Sequence, residues 1–217
     1  MTTLDPAKQI MRQIELIEGT NRDHSLSQFF TPPKLAAKLV EWAAQPWGLG
    51  AVGDRRAARV LEPSAGNGAI VRELVKAGAE VMAIEVDRRY LDELYDLNPS
   101  WALDADFLSL AKSVPLGTVD FDLCVGNFPF HLDLTGAFTL HALKFAPRVC
   151  AIYPSNFFYS DRREEFWKQV RPTRIAYMSK RAWEGATDYC ALELVKLANI
   201  TDEPGVASVE WWHEDWR

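Results

Sequence analysis

Four short segments carry side chains able to do chemistry on a nucleotide-like ligand. The first, Leu61-Glu62-Pro63-Ser64-Ala65-Gly66-Asn67-Gly68, follows a short apolar run and opens an amphipathic one, and its glycines let a ligand approach the backbone closely. It lacks the Gly-Lys-Ser/Thr of a phosphate loop and the GxGxxG of a dinucleotide site, which argues against ATP hydrolysis and hydride transfer. The second, Ile84-Glu85-Val86-Asp87, sets a carboxylate about 20 residues further on, where it can take ribose hydroxyls. Asp104-Ala105-Asp106-Phe107 places an acid beside an aromatic, a pairing suited to a purine held by one hydrogen bond and one stacked face. The fourth, Val125-Gly126-Asn127-Phe128-Pro129-Phe130, offers an amide, a peptide carbonyl and an aromatic ring.

These segments need a scaffold that brings them to one edge. From Arg59 onward short apolar runs alternate with amphipathic stretches, the pattern of βα units and a parallel sheet. Strands are predicted at Val60-Leu61, Val81–Glu85, Ala102–Asp104, Phe121–Val125 and Val149–Tyr153, with helices at Ala69–Ala77, Arg88–Leu97, Thr135–Phe145 and Asp161–Val170. Ile175–Ser179 and Leu192–Leu197 add two strands whose short connection makes them antiparallel neighbours. Each of the four segments then falls at a strand's carboxyl end, where open α/β sheets bind ligands. Ahead of the sheet, Asp5–Glu18 carries a helical stripe (Ala7, Ile10, Ile14, Ile17), and Thr31-Pro32-Pro33 reads as a cap and proline start for a helix over Pro32–Gln45.

The 217 residues, 48% hydrophobic and 25% charged, suit one globular domain, with no apolar run of the roughly 20 residues that a membrane span needs. The N-terminus, with an early acid and no apolar core, reads as neither signal nor transit peptide, so a cytoplasmic location is expected. Cys124, Cys150 and Cys190 sit apart in apolar stretches and read as core residues, and His24, His131 and His141 are too scattered for a metal site; no metal is expected. The net charge is −6, which is not the footprint of a free-standing nucleic-acid clamp. Seven basic residues against three acids between Asp161 and Arg181 nevertheless give one segment a charge of +4, suited to phosphate contact or to a solvated face. The tail concentrates Trp211, Trp212 and Trp216 among charges and is expected to pack on its own domain.

Gln28-Phe29-Phe30-Thr31-Pro32, together with the segments at Leu61–Gly68, Ile84–Asp87, Asp106–Leu108 and Gly126–Phe130, resembles motifs X, I, II, III and IV of the N6-adenine DNA methyltransferases, in the order of the gamma class. The resemblance covers about residues 25 to 200. It implies an α/β class I methyltransferase (Rossmann-like) fold: a seven-stranded, mainly parallel sheet with one antiparallel strand and helices on both faces. It divides the chain into an N-terminal helical extension over 1–57, a catalytic core over 58–200 and a tail over 201–217. The implied cofactor is S-adenosyl-L-methionine. Gln28, Phe29 and Thr31 would close over its methionine end, Glu62, Ser64, Ala65 and Gly66 would line its sulfonium and amino-acid portion, and Glu85 would take the ribose. Asp106 with Phe107 would hold the cofactor adenine. Asn127 and the Phe128 carbonyl, ahead of Pro129, would accept the two amino protons of a target adenine, with Phe130 stacked on the base and Asn127 bordering the cofactor.

Two departures bear on the substrate. The usual Asn-Pro-Pro-aromatic sequence has Phe128 at its first proline, as the ribosomal RNA adenine dimethyltransferases have a non-proline there; the Glu62–Gly66 and Phe30–Pro32 segments resemble the DNA enzymes more, and DNA is the favoured partner. Gamma-class enzymes that read a sequence usually carry a target-recognition domain after the last strand, and none is expected here, so sequence would be read by a partner subunit, by a second copy, by the short loops, or hardly at all. Beside adenine in DNA stand adenine in RNA, a glutamine side-chain amide in protein, and a non-catalytic methyltransferase-like subunit; an intact Asn127 speaks against the last.

Overall fold

The structure, a computed structural model, describes residues 29–46, 48–53, 55–110, 121–130, 134–158, 163–178, 188–196 and 207–213. The helix expected at Asp5–Glu18, and Gln28, His24, His131 and Trp216, lie outside them.

The described elements are α1 (Pro33–Ala43), β1 (Arg59–Glu62), α2 (Ala69–Lys76), β2 (Glu80–Glu85), α3 (Leu91–Asp96), β3 (Trp101–Asp104), β4 (Leu123–Gly126), α4 (Leu134–Ala142), β5 (Arg148–Pro154), α5 (Glu164–Trp167), β6 (Val170–Met178), β7 (Tyr189–Lys196) and β8 (Ser208–Trp212). The strands form one sheet in the order β3-β2-β1-β4-β5-β7-β6-β8. Pairing is parallel except where β7 runs antiparallel to both β5 and β6. The order reverses between β1 and β4, and at such a switch point the loops after the two strands diverge and leave a crevice. The Leu61–Gly68 and Gly126–Phe130 segments follow those two strands.

Alternation along the strands divides the core between the two faces of the sheet. Val60, Val81, Ala83, Val125 and Ile152 pack with α1, α2 and Leu94 of α3. Leu61, Met82, Ile84, Cys124 and Tyr153 pack with Phe138 and Ala142 of α4 and with Phe166. The three cysteines are free and buried, as their apolar surroundings implied.

Four expectations need correction. There are eight strands, because the tail adds β8 parallel to β6; a five-residue edge strand, Ser-Val-Glu-Trp-Trp, is too short to show a clear period. Trp212 is buried beneath it, edge-on to Trp42 at 5.7 Å, while Trp211 is 64% exposed and stacks on Tyr177 at 4.9 Å. Among the described residues the helix expected at Asp161–Val170 is only Glu164–Trp167, and β6 starts at Val170. Pro172 lies within β6, where a register shift between Pro172 and Arg174 accommodates the missing N–H. The Arg88–Leu97 stretch opens as a 3₁₀ turn, capped by Asp87 accepting from the Arg89 N–H at 3.1 Å. Finally, Thr31 is not the cap of α1: Pro32 holds that position without a side-chain bond and Pro33 is the first helical residue.

The β8 strand is tied to the body through Trp42, whose indole N–H donates to Glu210 Oε1 at 2.9 Å and whose ring lies 4.2 Å from the Arg174 guanidinium. Replacing Trp212 by Ala is expected to cost about 3 kcal/mol, read as a lower midpoint in urea unfolding with an unchanged slope; a loss under about 0.5 kcal/mol would mean that β8 does not belong to the cooperative fold.

Candidate active site at the carboxyl edge of the sheet

The glycine turn after β1 is held by its neighbours. The Ala65 N–H donates to the Ile84 carbonyl at 2.9 Å and the Gly66 N–H to Glu85 Oε2 at 2.6 Å, while Glu85 Oε1 accepts from the Asp87 N–H at 2.8 Å. Glu85, expected to take a ribose, therefore also braces the turn; each oxygen keeps a further lone pair for a ligand. Gly68 adopts φ 74° at the start of α2, where a Cβ would overlap Leu97, so glycine is needed there for both conformation and packing.

Glu62 ends β1 and is 1% exposed. Its Oε1 accepts from the Ser64 N–H at 3.3 Å and Ser64 Oγ at 3.4 Å, and its Oε2 is buried without a hydrogen-bond partner. Burial, and next the nearby Glu85 carboxylate, hold the Glu62 carboxyl well above the usual range, against the two Ser64 bonds. Glu85 is also raised by burial, against the backbone N–H groups of Asp87 and Gly66. Two carboxyl groups thus sit side by side where ionisation is costly.

The Asn127 loop leaves β4 with its rings on opposite faces. Phe128 is 1% exposed and packs at 5.6 Å from Phe138 on the α4 face, so its ring is a core residue. Half-buried Phe130 packs on the other face, with ring centres 5.7 Å from Phe29 and 5.4 Å from Tyr189. Thr135 Oγ1 donates to the Pro129 carbonyl at 2.9 Å. The Phe128 ring covers Gly126, where a Cβ would lie 2.5 Å from its Cε1 and 3.0 Å from Glu62 Oε1.

Between these anchors the Asn127 Nδ2 donates to the Phe29 carbonyl at 2.7 Å, and its Oδ1 is buried with no partner. Only the NH₂ end can bond to a carbonyl, so this contact settles which way the amide points. The Asn127 carbonyl accepts from Ser64 Oγ at 3.3 Å, joining the loop to the glycine turn.

The segment before α1 completes the group. Thr31 is buried, the Phe29 carbonyl is on Asn127, and the Phe30 ring lies over Gly66 and edge-on to Tyr90 at 5.3 Å. Asp106 caps the following 3₁₀ turn by accepting from the Leu108 N–H at 3.0 Å. Phe107 departs from expectation: it is 2% exposed, enclosed by Phe138, His141 and Phe145. The turn directs its ring into the core, which leaves it no open face for a purine. Sequence reading passed over Tyr90 and Tyr189, single aromatics outside any motif, and gave Phe30 no role within its own.

Other candidates are absorbed by the fold. His141 Nε2 meets the Leu110 carbonyl at 2.9 Å, and burial, aided by Lys144, lowers the ring's pKa. Of the basic segment, Arg163 lies over Phe157 at 3.7 Å, Lys168 pairs with Glu164 and Glu165, and Arg174 donates to the Trp42 carbonyl at 2.9 Å, so these three cations serve internal contacts. Phe158 lies flat on Trp167, 5.3 Å between ring centres. Among the described residues no cluster of His, Cys, Asp or Glu could hold a metal ion, and no helix is long and apolar enough to cross a membrane.

The sequence matches no protein-family model and no curated protein. Solved structures do match. A candidate class I S-adenosylmethionine-dependent methyltransferase from Listeria monocytogenes superposes with a TM-score of 0.62 at 14% identity, over 94% of this chain and 73% of that one. The 23S ribosomal RNA methyltransferase ErmE gives 0.57 at 20% identity, over 82% and 73%. The modification subunit of a candidate type I restriction enzyme from Vibrio vulnificus gives 0.58 at 14% identity, over 89% and 51%. The fold is that of the class I methyltransferases. As expected, the sheet has a single antiparallel strand; the eighth strand is a small addition.

Two substitutions probe this site. Gly126→Ala must displace the Phe128 ring and is expected to destabilise by about 1–3 kcal/mol in chemical unfolding, whereas an ordinary strand-end Gly→Ala would be neutral or better. For Glu62, a carboxyl raised in the folded state contributes stability below its unfolded pKa, near 4.5, that is lost as pH rises toward the folded value. Glu62→Gln should therefore gain stability over the parent as pH rises above about 4.5, followed by thermal unfolding; a gap that moves the other way would contradict the assignment.

Proposed function

We propose that this chain transfers a methyl group from S-adenosyl-L-methionine to N6 of adenine in DNA. The observation that carries the reading is the Asn127 amide: its nitrogen is held by the Phe29 carbonyl and its oxygen is buried and unpartnered, while the residue's backbone carbonyl accepts from Ser64 of the glycine turn. A buried acceptor without a partner costs about 1–3 kcal/mol, which a donor on the substrate would recover.

The residues present fit the cofactor. The orphaned Glu62 Oε2 suits a cationic group, the turn at Ala65 and Gly66 allows close approach, and Ser64, Glu85 and Asp106 would supply polar contacts, with Phe29 and Thr31 over the methionine end. Phe107 is left with its backbone as the only route to the cofactor adenine. When bound, S-adenosylmethionine supplies an electrophilic methyl group on a sulfonium sulfur. The proteins that this chain resembles in fold include one described as dependent on that compound.

The chain's own residues then act on the amine. An exocyclic amino group has its lone pair delocalised into the ring. Two acceptors, Asn127 Oδ1 and the Phe128 carbonyl, pull on its hydrogens, favour the pyramidal nucleophilic form and fix its direction. No strong base is required. The Phe130 ring, steadied by Phe29 and Tyr189, offers a stacking face that offsets unstacking of a flipped base by roughly 1–3 kcal/mol.

DNA is favoured by the Glu62–Gly66 and Phe30–Pro32 segments and by likeness to a restriction-modification subunit. Adenine in RNA is the second reading, supported by the non-proline Phe128 and by likeness to a ribosomal RNA methyltransferase. A single methyltransferase domain in the cytoplasm, reading sequence through a partner subunit or second copy, completes the proposal.

Incubation with labelled S-adenosylmethionine and panels of duplex DNA, single-stranded DNA, ribosomal RNA and transfer RNA, followed by nucleoside analysis, is expected to yield N6-methyladenine from DNA. Asn127→Ala should lower kcat by about 10²–10³. A product other than N6-methyladenine, or undiminished transfer by Asn127→Ala, would overturn the reading.

A further inference from the structure

We propose that Ser64 is a positioning residue that couples the two halves of the site, donating its single hydroxyl hydrogen bond either to the Glu62 carboxyl on the cofactor side or to the Asn127 carbonyl on the base side. The inference rests on the reading above and adds an order of events to it. Ser64 Oγ lies 3.4 Å from Glu62 Oε1 and 3.3 Å from the Asn127 carbonyl oxygen. A hydroxyl has one proton to donate, so at any moment one of these acceptors has it and the other does not.

What decides between them is the charge on Glu62, because an ionised acceptor makes a hydrogen bond roughly twice as strong as a neutral one. The titratable groups facing Glu62 are Glu85 from β2 and the Cys124 thiol from β4, with Asp87 behind Glu85. Burial and the Glu85 charge favour the protonated form of the Glu62 carboxyl; beside that neutral form the Ser64 hydroxyl bonds to the Asn127 carbonyl, tying the loop down. A cation docked on the orphaned Oε2 favours the carboxylate, whose proton passes to solvent. The hydroxyl turns to Oε1 and the Asn127 carbonyl is released. The loop then moves only about its two ring anchors, Phe128 and Phe130, free to close its acceptors on a base. Cofactor first, base second is the order that follows, with the two affinities coupled.

The test uses the oligonucleotide methylated best in the transfer assay and sinefungin as a cationic cofactor analogue that cannot transfer a methyl group. Oligonucleotide affinity is measured with and without sinefungin for the parent, Ser64→Ala and Ser64→Thr. For the parent, sinefungin is expected to tighten oligonucleotide binding by about 5-fold or more. In Ser64→Ala, measured at sinefungin concentrations that saturate the variant, that factor should fall to within about twofold of unity, and Ser64→Thr should restore it. Calorimetry in buffers of different ionisation heat should detect proton release on sinefungin binding that Glu62→Gln abolishes. Coupling retained in full by Ser64→Ala, no coupling in the parent, or no proton release overturns the proposal while leaving the methyltransferase reading intact. A parent that binds no sinefungin and transfers no methyl group overturns both.

Discussion

The site depends on a four-residue loop pinned through the plane of a sheet. Phe128 enters the core on one face and Phe130 packs on the other, so the intervening backbone cannot slide toward either side. Buried aromatic rings contribute a few kcal/mol each, more than enough to hold a short loop without a proline. Packing thus fixes a loop whose backbone no proline restricts at Phe128. It also explains Gly126, since the ring lies where its Cβ would be. Asn127, between the anchors, needs only the Phe29 carbonyl to complete its orientation.

The second organising feature is a pair of carboxyl groups at the ends of adjacent strands. Glu85 spends part of its acceptor capacity on the backbone of the glycine turn, giving the turn its shape. Glu62 keeps one oxygen buried and unpartnered, a costly arrangement that a ligand cation would relieve. Ser64 lies between this carboxyl and the Asn127 loop. The two halves of the crevice are therefore linked through side chains, although they come from strands 60 residues and more apart in sequence.

Much of this was legible in the sequence, because the strands alternate cleanly between core faces and each chemical segment falls where an apolar run ends. Five parallel strands, the antiparallel neighbours and the gathering of Glu62, Ser64, Gly66, Glu85 and Asn127 at one edge all follow from that pattern. The rest was hidden for identifiable reasons. β8 pairs one exposed and one buried tryptophan, which periodicity over so few residues does not separate. Pro172 disguised the start of β6 because a bulge absorbs it. Phe107 has the right type for a stacking ring, but its direction depends on a turn whose geometry the sequence does not express. Tyr90 and Tyr189 reach the site only through tertiary packing.

The central claim is that the Asn127 side-chain oxygen is an acceptor for a substrate amine. The most direct measurement is a crystal structure of the chain with sinefungin and an adenine-containing oligonucleotide. The account predicts the adenine amino nitrogen at hydrogen-bond distance, about 2.9 Å, from both Asn127 Oδ1 and the Phe128 carbonyl, with the base against Phe130. An adenine held elsewhere, or an Asn127 Oδ1 still without a donor beside a fully ordered base, would contradict it.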